Sequence, residues 1–450
     1  MRIKDGCFAT LVLQGNQSEN SRLKRLFGFC DMEKTLIYPP MPDTEKRIEK
    51  DFFARKESFF YFLCINWLEF RGICAILSSI FCLLKRQCSY AKEQDMQVRL
   101  MNTELIRMDQ EKIDSVAVQR AGEILRNGGL VGFPTETVYG LGGNGLNPSS
   151  AKAIYAAKGR PSDNPLILHI ADRDELYSLV ADIPKVADKL MDAFWPGPMT
   201  LIFPKSELVP KESTGGLDTV AIRMPSHPIA VALIRAAGIP IAAPSANRSG
   251  RPSPTLASHV WEDMDGRIEM ILDGGEVGIG LESTIIDLTG EVPTILRPGY
   301  ITQTMIEDVV GHTEVDRAST GENSEHARPK APGMKYRHYA PQAEMTLVSG
   351  EPENVHRTIS VRASEGVSSG KKVRIICTEE TRGLFDGLDT VSVGYRSHPE
   401  MIAHNLFRVL READRDGIEI LLSETFEETE LGASVMNRLM KAAGYHIIYV

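Results

Sequence analysis

Apolar positions in the body of the chain follow two spacings in turn, and this alternation predicts an α/β protein. Residues 113–126 repeat apolar side chains at helical spacing and end at Gly128-Gly129, a common helix stop. The short apolar run 130–133 follows at once and predicts a strand. The same step recurs further on, which favours alternating helices and strands over an all-helical bundle.

The remaining elements fall into two series. Helices are predicted over 148–157, 175–180, 186–194 and 228–237, and strands over 166–170, 199–203, 218–225 and 240–243. After residue 342, strands are predicted over 345–348, 372–377, 390–393, 418–422 and 446–450, with helices over 354–363, 400–414 and 431–442. The second series predicts a small doubly wound sheet. It contains no phosphate-binding loop, which favours a regulatory or lid-supporting role over separate catalysis.

Loops rich in hydroxyl, amide and glycine residues follow the predicted strands repeatedly. They cover residues 134–142, 244–255, 280–287 and 295–299. Short polar side chains and free backbone N–H groups bind phosphate or carboxylate, so several such loops at strand ends predict one converging polar site. Residues 140–145 also satisfy the pattern GxGxxG. No strand ending in an acidic residue lies at the distance that a dinucleotide site needs, so we interpret these glycines as allowing tight turns.

Two cations stand where a helix is predicted to end. Lys158 and Arg160 could simply complement the helix dipole. Pro161 and the pair Asn164-Pro165 instead indicate a rigid loop that would hold both charged groups in place. His169 lies within an apolar strand, and taken alone it is typical of a hydrogen-bonded core histidine.

Charge and cysteine content divide the 450 residues near residue 100. The first hundred residues contain 16 Lys and Arg against 12 Asp and Glu, whereas the rest contain 35 against 48. The acidic body argues against a large nonspecific nucleic-acid surface. Cys377 is the single cysteine after residue 88, which fits a reducing cytoplasm and excludes a disulfide framework in the body.

The first hundred residues are expected to lie outside the functional fold. Their apolar stretch 59–84 is interrupted by Glu69 and Arg71, which counts against a membrane span, and no stable membrane association is expected. Met96 and Met101 stand just before the composition changes. We therefore expect residues 1–100 to be a disordered extension or to lie upstream of the true start.

An ordered series of motifs carries a family resemblance. The motifs are PTETVYGLG (134–142), KGRPSDNPL (158–166), WPGPMTL (195–201), TVAIRMP (219–225), APSANRSGRPSPT (243–255), EST (282–284) and LRPG (296–299). Together they resemble the YrdC-like family, and the following PGMKYRHYAP (332–341) resembles its long form, the threonylcarbamoyl-AMP synthases. The resemblance covers about residues 105–450. It implies a twisted mixed-sheet α/β catalytic domain over 105–311, a linker or lid over 312–342, and a smaller Rossmann-like α/β domain over 343–450.

The resemblance also implies a reaction. L-Threonine, bicarbonate and ATP would give L-threonylcarbamoyladenylate and pyrophosphate, for the N6-threonylcarbamoyladenosine modification of tRNA next to the anticodon. Magnesium would be held mainly through the ATP phosphates, with no protein metal ligands. The product would pass to the tRNA threonylcarbamoyltransferase machinery in the cytoplasm, with weak or indirect tRNA contact.

Residue roles follow from the same motifs. Lys158 and Arg160 would supply catalytic charge to the phosphates or the carbamate. The role of Ala243, where some relatives carry threonine, stays open. The threonine side would comprise Thr137, His169, Arg223 and Ser283. The ATP side would comprise Arg160, Asn164, Thr219, Ser245, Ser253, Arg297 and Tyr336.

Two other functions remain as alternatives. A nonenzymatic RNA-binding module would use a basic concavity, but the acidic body counts against it. Carbamoyl transfer of the hydrogenase-maturation type should bring zinc-finger cysteines and an acylphosphatase unit, which the sequence lacks. The sequence has no HExxH or Walker A motif, which excludes zinc proteases and P-loop ATPases.

Overall fold

The computed structural model describes residues 2–4, 8–10, 102–316, 331–332, 339–427 and 430–450. The chain divides into two units, Met1–Ala91 and Lys92–Val450. In the first unit the described residues form one antiparallel hairpin of β1 (Arg2–Lys4) and β2 (Phe8–Thr10). The apolar stretch 59–84 lies outside the described residues. Among those that are described, no helix combines the length and the apolar character that crossing a bilayer requires.

A large mixed sheet forms the first part of the second unit. Its strands are β3 (Glu104–Arg107), β4 (Val131–Phe133), β5 (Gly140–Asn144), β6 (Ile167–His169), β7 (Met199–Pro204), β8 (Thr219–Arg223), β9 (Ile241–Ala242), β10 (Met270–Asp273), β11 (Thr284–Asp287), β12 (Thr294–Arg297) and β13 (Glu314–Val315). They lie in the order β13-β12-β11-β7-β8-β6-β9-β5-β4-β10-β3. Parallel pairs such as β6 and β8 alternate with antiparallel pairs such as β7 and β8.

Helices cover this sheet. They are α1 (Ser115–Arg126), α2 (Pro148–Lys158), α3 (Leu176–Leu179), α4 (Lys185–Phe194), α5 (Pro228–Ala237), α6 (Ala257–Met264) and α7 (Gln303–Val310). The sequence signals for α2 are confirmed, because Asn147 caps its first turn by accepting from the Ser149 N–H. Gly159 ends α2 in the left-handed conformation, with φ of 61°. Helix α6 and strands β3 and β10 were not predicted from the sequence.

The prediction that the glycines of residues 140–145 allow tight turns is wrong. Residues 140–144 form β5, which pairs on both sides with β4 and β9. The glycines make room for neighbouring side chains at the centre of the sheet. A Cβ on Gly142 would lie 2.9 Å from Ile241 Cγ2, and one on Gly145 would lie 2.7 Å from Leu168 Cδ2. Close packing, not backbone freedom, therefore requires glycine here.

A second, wholly parallel sheet completes the unit, and we call it and its helices the C-terminal region. The elements are β14 (Glu344–Ser349), α8 (Pro352–Ser368), β15 (Val373–Cys377), β16 (Thr390–Ser392), α9 (Pro399–Asp416), β17 (Ile420–Glu424), α10 (Glu430–Ala442) and β18 (Ile447–Tyr449). The strand order is β16-β15-β17-β14-β18. The predicted α/β fold, with a twisted mixed sheet and a smaller Rossmann-like sheet, is confirmed.

Close packing of α1 against α5 gives the first testable prediction. A Cβ on Gly122 would lie 2.8 Å from the backbone carbonyl carbon of Ala236, so Gly122→Ala must push the two helices apart. We expect a loss of about 1–3 kcal/mol in unfolding free energy, although alanine favours helices. Denaturant unfolding measures this change. The matched control is Gly290→Ala, at an exposed position where the nearest atom would be 3.8 Å away. Equal stability of the two variants would contradict the close helix contact.

Candidate active site

A polar cavity lies over one face of the large sheet. Ile167 and His169, alternate residues of β6, form part of its floor, and Arg223 stands opposite His169 in the register of β6 and β8. The space among its lining residues amounts to about 700 Å³, including the open mouth. Among the residues predicted from the sequence, its wall includes Lys158, Arg160, His169, Arg223, Ser245, Ser283 and Arg297, together with Ala243.

The Lys158 ammonium group makes its hydrogen bonds to acceptors within the protein. Its side chain is buried, and its Nζ donates to the backbone carbonyls of Ser245 and Asn247. Burial, together with the nearby charge of Arg160, lowers the pKa of the ammonium group well below its ordinary value. The Ser249 N–H donates in turn to the Lys158 carbonyl over 2.8 Å. These contacts favour a role in holding the loop after β9 over direct contact with phosphate.

Arg160 keeps part of its hydrogen-bonding capacity unused. Its Nη2 donates to the carbonyls of Asn164 (3.3 Å) and Pro165 (3.0 Å), whereas its buried Nε has no partner within the described chain. The buried Asn164 Oδ1 also lacks one, although Asn164 is not part of the cavity wall. Burial lowers the pKa of Arg160 to about 10, so the group stays protonated at neutral pH. Buried polar atoms without protein partners are rare, and the Nε of Arg160, a residue of the cavity wall, can donate to a ligand or to water.

Arg223 and His169 form the deep end of the cavity. Arg223 Nη2 donates to Glu136 Oε1 over 2.7 Å, and both side chains are largely buried. The His169 Nδ1 lies 3.2 Å from the Ile167 carbonyl oxygen. Burial and the Arg223 charge lower the pKa of His169 to about 3, which makes its ring neutral at physiological pH. Here the cavity therefore offers one paired guanidinium and one uncharged imidazole.

Arg297 lies on β12 in the same row across the sheet as His169 and Arg223, connected through Thr200 of β7 and Ile285 of β11. The guanidinium donates through Nε to the Ser283 carbonyl (3.0 Å) and through Nη2 to the Ser283 hydroxyl (3.1 Å). That hydroxyl also lies 2.7 Å from Thr200 Oγ1. Burial lowers the pKa of Arg297 to about 10, which leaves it charged at neutral pH. The serine is thus held in one orientation beside a fixed cation.

Other predicted residues stand behind the wall or away from it. Thr137 is fully buried and touches Thr135 through their hydroxyls (2.8 Å), and Thr135 is the one that lines the cavity. Ser253 is buried and donates to Glu282 Oε1 over 2.5 Å. Thr219 begins β8, at the opposite end from Arg223, and is not part of the wall. The prediction for Tyr336 lies outside the described residues.

Sequence reasoning missed several residues that shape the site. Glu136 and Glu282 belong to motifs already quoted, PTETVYGLG and EST, but an acidic residue was not expected beside an anion site. Tyr339 lines the cavity and hydrogen-bonds Glu282, and burial raises the pKa of its hydroxyl to about 12. Arg438 of α10 is wholly buried against Glu282, at an Nε–Oε2 distance of 3.2 Å. Its position inside an amphipathic helix carries no local signal.

The side chains of the cavity wall suit a metal ion that is bound through substrate phosphates and not one that is held by protein ligands. Within the described ranges, no three His, Cys, Asp or Glu side chains come together as a metal cage. Glu282 is the acidic side chain on the cavity wall, and Ser253 and Arg438 already engage its two oxygens. Mg²⁺ commonly keeps several waters and binds through substrate phosphates, and such binding needs no protein cage.

Comparison with known proteins identifies the family. Residues 123–299 match the Sua5, YciO and YrdC family model, described as telomere recombination, and residues 301–444 match the threonylcarbamoyl-AMP synthase C-terminal domain. A Pyrococcus abyssi protein named threonylcarbamoyl-AMP synthase is 51% identical over 340 residues, which cover 76% of this chain and 98% of that protein. The chain belongs to the threonylcarbamoyl-AMP synthase family.

Further relatives agree with this membership. A Bacillus subtilis protein of the same name is 47% identical, over 76% of this chain and 96% of its own length. A crystal structure titled as P. abyssi Sua5 complexed with L-threonine superposes with a TM-score of 0.73 at 50% identity. That match covers 77% of this chain and 100% of the other. The family models include every wall residue named above, and the second one contains Arg438.

The neutral state of His169 predicts a pH-dependent stability. The unfolded chain takes up a proton near pH 6.5, whereas the folded ring does so only near pH 3, so acid favours the unfolded state between these values. From pH 7.5 to 5 this residue should cost about 2 kcal/mol of unfolding free energy. We expect His169→Gln to reduce the acid sensitivity by that amount in urea unfolding. Identical pH profiles for wild type and His169→Gln would contradict the buried neutral ring.

Proposed function

We propose that this chain synthesises L-threonylcarbamoyladenylate, releasing pyrophosphate, from L-threonine, bicarbonate and ATP, and that the product serves tRNA modification. The observation that carries the proposal is the placement of Arg160, Arg223 and Arg297 around one cavity with small hydroxyl groups between them. Guanidinium groups suit carboxylate and phosphate, and hydroxyls suit the side chain of threonine. Family membership and the structure of P. abyssi Sua5 complexed with L-threonine support the same substrates.

The chemistry requires charge control and no covalent enzyme nucleophile. The nitrogen of the neutral threonine amine forms a bond to the carbon of bicarbonate. The hydroxyl oxygen of bicarbonate departs as water, and the product is a carbamate. A carbamate oxygen then forms a bond to the α-phosphorus while the bond to pyrophosphate breaks. Attacker and target are both anionic, so catalysis depends on holding them in line and screening their repulsion. Fixed guanidinium groups perform both tasks.

We assign the threonine half of the site to the deep end of the cavity. Arg223 would bind the threonine carboxylate, held in orientation by Glu136. His169, being neutral, would contribute hydrogen bonding without charge, and Ser283 would contact the amino acid or its carbamate. Thr137 would act through Thr135, because its own hydroxyl is buried behind that residue.

The nucleotide half is assigned to the remaining predicted residues. Arg160 and Arg297 would contact phosphate oxygens, and the Asn164 Oδ1 would accept a hydrogen bond from a hydroxyl or amino group of the nucleotide. Ser245, Ser253, Thr219 and Tyr336 remain proposed ATP residues. Lys158 would fix the Ser245 loop. Mg²⁺ would arrive with the triphosphate and neutralise part of its charge.

Several wider assignments belong to the same proposal. The domain division into 105–311, 312–342 and 343–450 follows the motif order, and the tRNA threonylcarbamoyltransferase machinery would consume the adenylate. We propose a cytoplasmic location and weak or indirect contact with tRNA. The acidic balance of residues 101–450 supports the last point.

Turnover by the full chain tests the reaction. The purified protein is incubated with ATP, MgCl₂, bicarbonate and labelled L-threonine, and pyrophosphate and the labelled adenylate are quantified. We expect both products to require threonine and bicarbonate together. Pyrophosphate release that ignores threonine, or no adenylate from a folded protein, would reject the proposed function.

Separate substrate effects test the two halves of the site. Arg223→Gln should raise KM for threonine by tenfold or more and leave KM for ATP within about threefold, since it removes a charged hydrogen bond to one substrate. Arg160→Gln should show the reverse pattern. Arg107→Gln is the control, because this arginine side chain is 92% exposed. If Arg223→Gln and Arg160→Gln both raised the KM of the same substrate, the division of the cavity into two halves would be contradicted.

A further inference from the structure

Glu282 connects the proposed nucleotide half of the cavity to the C-terminal region. Its Oε1 accepts from Ser253 and its Oε2 from Arg438, while the Tyr339 hydroxyl contacts the same carboxylate. Burial alone would raise the pKa of Glu282, but Arg438, Arg297 and Ser253 hold it below its ordinary value. An ionised carboxylate at the cavity wall is therefore balanced from outside the large sheet.

Arg438 contacts the two loops that carry wall residues. It donates from Nη1 to the Pro298 carbonyl and lies 3.5 Å, through Nη2, from the Glu282 carbonyl. Pro298 directly follows Arg297, and Glu282 directly precedes Ser283. One turn earlier on α10, the Ser434 hydroxyl donates to the Gly299 carbonyl over 2.7 Å. One face of α10 thus holds both loops against each other.

The two loops have little freedom to move independently. A Cβ on Gly299 would lie 2.4 Å from the Thr284 backbone nitrogen and 2.7 Å from the Ser283 carbonyl carbon. Arg297 spans the same gap through its bonds to Ser283. A shift of Glu282 or Pro298 would therefore be transmitted to Ser253, Ser283 and Arg297.

Fold stability alone does not require this ion pair. Two buried charges lose their hydration, and well-packed apolar side chains of similar volume are often as stabilising or more so. A guanidinium whose three nitrogens reach one carboxylate and two backbone carbonyls instead defines a geometry. The contacts of Arg438 lie next to residues of the nucleotide half.

We propose that Arg438 is a positioning residue through which the C-terminal region sets the affinity of the active site for ATP. It acts through Glu282 and Pro298 on Ser253, Ser283 and Arg297 and touches no reacting atom. This inference rests on the proposed assignment of the nucleotide half. It makes the C-terminal region a structural part of the ATP site.

Variants of Arg438 in the full chain test the proposal through a substrate split. Arg438→Met should raise the Kd for ATP in calorimetry, and KM for ATP, by about tenfold or more, and should raise KM for threonine by a smaller factor, about threefold or less, through Ser283. Arg438→Lys, which keeps one charged donor, should recover ATP affinity to within about threefold of wild type. Arg408→Ala is the matched control, since this arginine of α9 approaches Glu276 and not Glu282. Unchanged ATP affinity in Arg438→Met, or an equal rise in KM for both substrates, would overturn the proposal.

A double variant separates positioning from stability. Glu282→Gln combined with Arg438→Met removes both charges, so thermal stability should recover relative to Arg438→Met, while ATP binding should stay weak. If ATP affinity recovers together with Tm, the pair is only structural and the inference fails.

If Arg438→Met does not fold, the lysine and double variants give the same two readouts. Wild-type protein that binds ATP in an Arg438-dependent way without making the adenylate would reject the proposed reaction and leave the positioning role standing.

Discussion

Several positive charges are buried around one cavity, and the surrounding structure is arranged to make that burial tolerable. A buried cation loses its hydration and needs hydrogen-bond acceptors or counter-charges in return. Backbone carbonyls of the loop after β9 surround Lys158. Glu136 balances Arg223, and Glu282 balances Arg438. The loops that bear these acceptors are held in the conformations that the site requires.

Lys158 and Arg160 differ in how completely the protein itself satisfies their hydrogen bonds. Lys158 donates to the Ser245 and Asn247 carbonyls and to Asn247 Oδ1, and its burial disfavours the charged form. Arg160 donates through Nη2 to the Asn164 and Pro165 carbonyls, and its Nε has no protein partner among the described residues. The two cations stand two residues apart in one motif, yet their surroundings assign them different tasks. Such a division depends on residues from distant parts of the chain, here the loop 245–249.

Local sequence rules predicted the elements better than they predicted the contacts between elements. The N-cap Asn147 and the C-terminal Gly159 delimit α2 as their chemistry requires. The glycines of residues 140–145 were misinterpreted because packing against Ile241 and Leu168 requires them, and both of these residues are far away in sequence. Arg438 lies 156 residues from the carboxylate it contacts, so no spacing could reveal it. The family motifs marked most of the cavity wall, but the partners that hold its charges became visible only in three dimensions.

The balance of charge left at the cavity accounts for its preference for anions. Glu136 and Glu282 neutralise part of the positive charge, but Arg160 and Arg297 make their direct hydrogen bonds to carbonyl and hydroxyl oxygens, which leave the net charge unchanged. A site with a carboxylate for every guanidinium would gain little from binding phosphate, whereas one without carboxylates would be costly to fold. Because His169 stays neutral, it adds no charge at the deep end. The remaining excess of positive charge is therefore concentrated on guanidinium groups of fixed orientation. These groups can stabilise negative charge that develops during the reaction without reorganising.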